Sequence, residues 1–209
     1  MNPKQLERYL ENHTPRSAAM LDHTARALRG VNLLPTGGKG FGAVDVTPEH
    51  AASMLLAVAI VERPAEAPLK VVQWAGVGPV SGDPHDGFCG AETLAEALAV
   101  MLADPEWTSG VTSVRICRTW PLAEIHRKTP YGQPEVFTYG YNSFDRAAAA
   151  GFRTSTGRDW FEMSSGGLAQ LALNLSQTGE PKAAWRDGSP EGEAAAAAFA
   201  DHAKKTSKE

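Results

Sequence analysis

The residues with the clearest chemical use lie near the start of the chain. Arg16, Ser17, His23, Arg26 and Arg29, with Asp22 among them, fall on a segment whose apolar residues Ala18, Leu21, Ala25 and Leu28 share one helical face. A helix fits the major groove of duplex DNA, where a guanidinium grips a guanine edge or a phosphate with two donors and shorter polar side chains reach other base edges. Lys39 stands among Gly37, Gly38, Gly40 and Gly42, which let backbone and ammonium approach a phosphate closely. That loop lacks the order of a nucleotide-binding P-loop, because Lys39 is followed by Gly40 and Phe41 and not by Ser or Thr entering a helix.

No other cluster makes a catalytic constellation. Asp83, His85, Asp86 and Cys89 are dense in potential ligands but match no zinc spacing, and they read as turn-forming residues in a Gly/Pro-rich loop. Ser164-Ser165-Gly166-Gly167 lacks the Gly-x-Ser-x-Gly elbow of hydrolases and reads as a helix cap. Asp145, Asp159 and Glu162 show no acid–base spacing, and the five tryptophans read as core or interface anchors. The expectation is a protein that is not an enzyme and carries no cofactor and no metal. A histidine such as His85 or His126 brought within reach of an acid and a nucleophile would reverse it.

The elements that must position these residues follow from punctuation and periodicity. Pro3 to Glu11 reads as a first helix with Leu6, Tyr9 and Leu10 inward, Asn12 to Thr14 as a turn, and Thr14-Pro15 as cap and first residue of a second helix running to Arg29. Thr47-Pro48 repeats that signature before a strongly apolar helix through Met54, Leu55 and Val61, and Pro64 to Pro68 is the best linker. Leu69 to Val77 reads as a strand and Ala91 to Leu102 as a helix. Segments 112–120 and 135–141 read as an antiparallel pair with a long connection, 158–163 as a further strand and Leu168 to Leu175 as a helix. The expected fold is α+β, with a winged helix-turn-helix-like module over 1–65, a mixed α/β module over 69–178 and a weakly ordered Ala-rich tail over 179–209.

Composition sets the class. Of 209 residues, 43% are hydrophobic and 21% charged, as in ordinary globular chains. No apolar run is long enough to span a membrane and the start does not read as a secretion signal, so a cytoplasmic location without membrane association is expected. Cys89 and Cys117 are too few for a disulfide framework and read as reduced. The net charge of -4 is unevenly spread. Residues 1–30 carry five cations against three acids, and 61–110 carry eight acids against Arg63 and Lys70.

The runs Ala25-Arg26-Ala27-Leu28-Arg29, Asn32 to Gly40 and Thr47-Pro48-Glu49-His50-Ala51-Ala52 resemble phage- or prophage-type helix-turn-helix regulators of proteobacteria, over roughly residues 3–62. That resemblance implies an arginine-bearing recognition helix with a glycine-rich wing. The function expected from it is sequence-specific transcriptional regulation, such as repression of phage-related genes. Double-stranded DNA would be the partner and a homodimer the working form, since one such module makes few base contacts. The competing expectation is a non-catalytic protein-interaction or assembly module, favoured if Arg26 and Arg29 are buried in ion pairs instead of facing solvent.

Overall fold

The computed structural model describes residues 1–36, 44–152 and 158–177, so the glycine-rich loop with Lys39 and the tail expected over 179–209 lie outside the described residues. The N-terminal part is helical: α1 (Pro3–His13), α2 (Ala18–Arg29), α3 (Pro48–Ile60) and α4 (Ala67–Ala75). It is followed by α5 (Leu94–Ala103), α6 (Pro105–Gly110), β1 (Val111–Cys117), β2 (Leu122–Lys128), β3 (Pro134–Gly140), α7 (Phe144–Ala149), β4 (Trp160–Ser164) and α8 (Ser165–Ser176). The fold is α+β, with one antiparallel sheet in the order β3-β2-β1-β4.

Local chemistry explains the helix starts. Asn2 caps α1 and exchanges bonds with Gln5, Thr93 does the same with Glu96 at α5, and Thr47 with Pro48 opens α3 as the sequence predicts. Between α1 and α2 the expected cap moves. Thr14 ends α1 and returns its hydroxyl to the Leu10 carbonyl at 2.7 Å, while Ser17 accepts the Met20 amide and starts α2. The turn therefore includes Pro15 and Arg16.

The strand expected over Leu69 to Val77 is instead the helix α4. Val71, Val72 and Trp74 favour a strand locally, but a helix gathers Ala67, Val71, Trp74 and Ala75 on one buried stripe and leaves Leu69 65% exposed. It also sets Lys70 on Glu66 one turn back, at 2.9 Å. The Pro64–Pro68 stretch is a short 3-10 turn running into this helix. The expected long connection between two strands contains β2, which pairs with both β1 and β3.

Helices lie against one sheet face. Val114, Ile116, Ala123, Ile125, Tyr139, Phe161 and Met163 point there and join Leu10, Leu28, Leu55, Leu98 and Leu171 in one buried cluster, to which residues on both sides of Pro64–Pro68 contribute. At about 25 cal/mol per Å2 of apolar area removed from water, such burial is the main term holding helices to sheet. Gly140 ends β3 at φ +122°, where an added Cβ would sit 1.9 Å from the Pro121 carbonyl oxygen, so this crossing admits only glycine.

Candidate interaction surface

The residues expected to read DNA have separate assignments here. Arg29 Nη2 meets the buried Glu7 carboxylate at 2.6 Å, and Lys4 meets the other oxygen of Glu7 at 2.6 Å and Asp22 at 2.5 Å. Arg26 reaches the second Asp22 oxygen at 2.7 Å from a largely exposed position. The Lys4–Asp22 and Arg29–Glu7 pairs bind α1 to α2, and the Arg26 pair lies within α2. The Lys4 ammonium holds the Asp22 carboxyl below its usual range, and Asp22 with Glu7 raises Lys4 in turn.

Arg16 turns inward. Its Nε donates to the Val58 carbonyl at 3.0 Å, and Arg118 Nε donates to the Ala59 carbonyl at 2.8 Å, so two guanidiniums close the C-terminal end of α3 where carbonyls lack helical partners. Burial, and after it the Arg118 charge, pulls Arg16 below its ordinary range. Ser17 is the α2 cap, and His23 is exposed on α2. The structure brings Arg26, Arg29 and His23 onto one helix but keeps Arg16 off its outer face.

The sheet face away from the helices is polar. Arg115 occupies its centre: Nη1 donates to Glu124 Oε2 at 3.0 Å, the Glu162 carboxylate lies 3.7 Å from Nε, and the guanidinium stacks on Trp160 with Cζ 4.6 Å from the ring centroid. Glu124 Oε2 also meets His126 Nε2 at 2.9 Å. Ser113 stands opposite His126 in register, yet no hydrogen bond joins its hydroxyl to that ring among the described residues. His126 is thus an imidazole held by a carboxylate on the polar sheet face. No group of three or more His, Cys, Asp or Glu side chains is placed to hold a metal ion among the described residues.

The two sheet edges differ. In an antiparallel ladder the residues of one strand bond alternately to either side. On β3 the outward residues Thr138 and Gly140 are covered by the segment 78–80: Val80 N–H donates to Thr138 at 2.9 Å and Gly140 N–H to Gly78 at 2.8 Å. Beyond them the outward Val136 meets no backbone partner among the described residues, and Pro134 has no N–H to offer at the position after it. On β4 the Arg118 amide donates to the Asp159 carbonyl at 2.7 Å, which fixes the alternation. Asp159, Phe161 and Met163 face β1, so the backbone groups of Trp160 and Glu162 face outward and meet no partner among the described residues. Sequence reasoning missed this surface because strand order, and therefore which strand is an edge, is not written in local periodicity.

No family model, curated protein or solved structure matches this chain. No helix among the described residues is long and apolar enough to cross a membrane.

Proposed function

We propose that this chain is a non-catalytic protein-interaction module whose β4 edge takes an extended strand. The observation that carries this reading is the asymmetry of the sheet among the described residues: residues 78–80 cover one edge at Thr138 and Gly140, while the other presents the amides and carbonyls of Trp160 and Glu162 beside a polar face centred on Arg115. Strand addition at such an edge obtains its affinity from main-chain hydrogen bonds and its specificity from alternate side chains. The Arg29 pair with the buried Glu7 supports the same reading, since it commits to the helix hairpin a cation that a DNA reader would present, while Arg26 stays on the helix surface.

The test is selective loss of binding. Glu162→Pro removes one outward amide and leaves the inward ladder to β1 intact, whereas Glu162→Ala removes only the side chain. A partner captured from host extract by the parent chain and by Glu162→Ala, but not by Glu162→Pro, supports the reading. Partners held equally by all three chains contradict it, as does a monomeric parent chain that captures none.

Sequence-specific DNA binding in transcriptional control is the second reading, with a helix-turn-helix-like hairpin and dimeric action. It is favoured by the exposed Arg8, His23 and Arg26 on α1 and α2, with Lys39 as the further cation. Preference for one duplex over scrambled duplex across a salt series would place it first.

A further inference from the structure

We propose that two copies of this chain pair antiparallel through β4, with Trp160 of each opposite Glu162 of the other, joining two four-stranded sheets into one of eight strands. This rests on the reading that β4 is a receiving edge and names its occupant. The outward groups of β4 are complementary to themselves: a two-fold axis at Phe161 lets Trp160 and Glu162 exchange both backbone bonds with the second copy, twice over. A closed two-fold contact leaves neither β4 edge available for further growth.

Charge disfavours the register one residue further along, and the Phe161 axis keeps all four outward partners within β4 itself. An axis at Glu162 would set two carboxylates directly opposite each other, which is unfavourable in a cross-strand pair. An axis at Phe161 sets each Glu162 against a Trp160 ring instead and brings the two Phe161 positions face to face. Arg115 already stacks on Trp160 and lies 3.7 Å from Glu162, so both outward side chains are positioned before pairing. The open polar face of each sheet then continues into the other, and Glu162, 56% exposed in the single chain, gains a cross-strand neighbour.

The experiment is sedimentation of the full chain over a concentration series, with Glu162→Pro and Glu162→Ala compared and circular dichroism as the check on folding. The expected result is a species of twice the 22.3 kDa chain mass for the parent and Glu162→Ala, and a single chain for folded Glu162→Pro. A monomeric parent at high concentration overturns the proposal, as does a dimer that survives Glu162→Pro. Should that variant not fold, amide exchange of the parent decides: Trp160 and Glu162 must become protected as concentration rises, and fast exchange in the dimer overturns the pairing. A monomeric parent whose captured partner is still lost on Glu162→Pro would remove self-pairing alone and leave strand addition by another protein standing.

Discussion

Glu7 and Arg29 form an ion pair at 2.6 Å across the α1–α2 hairpin, with the carboxylate side chain 9% exposed and the guanidinium 20% exposed. The last cation of the helix expected to read DNA is thereby committed to holding that helix on its neighbour. Glu7→Ala strips Arg29 of its partner and leaves Lys4 with Asp22 alone. The expected cost is about 2 kcal/mol, the scale of a hydrogen bond to a charged group. Urea unfolding measures it, and an unchanged midpoint would show that the pair contributes nothing.

Arg16 and Arg118 are expected to matter for stability in the absence of any nucleic acid. Each alanine variant loses one capped carbonyl at the end of α3, at about 1 kcal/mol. Because the two guanidiniums repel each other, each single variant also relieves that repulsion, so the double variant should lose more than the two singles together. A double-mutant cycle checks this, and exact additivity would mean that the two caps act independently.

A histidine makes the α3 start sensitive to acid. Thr47 N–H donates to His50 Nδ1 at 3.2 Å, so that nitrogen must be unprotonated, and burial holds the imidazole below its ordinary range. A depressed base binds fewer protons folded than unfolded. Its contribution is therefore present above the unfolded value and is lost as pH falls through the folded one. Asp22 and Glu66, each lowered first by a lysine hydrogen bond, act with the same sign further into acid. Thermal melts from about pH 7 to about pH 5 should show falling stability that His50→Gln flattens, since glutamine keeps the cap and cannot titrate. An equal slope in both chains would contradict this role of His50.

The start of α3 was legible because Thr47-Pro48 and a continuous apolar run point the same way. At α4 the local preference of Val71, Val72 and Trp74 opposed the burial stripe and the Glu66–Lys70 pair, and the tertiary terms prevailed. Strand β2 was hidden because only Leu122, Ala123 and Ile125 are apolar and four charged or titratable residues fill the rest. The cations of α2 were identifiable as cations. Their partners were not, since Glu7 and Arg29 meet only after two helices pack, and Arg16 reaches Val58 across a distant part of the chain.

The hydroxyl of Tyr139, within the core, accepts the Phe88 amide at 2.7 Å and donates to the Ala91 carbonyl at 3.3 Å, tying β3 to the segment before α5. Tyr139→Phe leaves that buried amide unpaired and is expected to cost about 1 to 3 kcal/mol. The midpoint of chemical unfolding measures it. A neutral effect would show that the amide finds another acceptor.

Strand addition at β4 requires that the Trp160 and Glu162 backbone groups face away from β1. Amide-resolved hydrogen exchange on the dilute chain reads it residue by residue. Phe161 and Met163 should exchange slowly because they bond to β1, while Trp160 and Glu162 between and beside them should exchange fast. Protection of Trp160 and Glu162 in the dilute chain would mean that the edge is already covered, and the proposed docking strand would be lost.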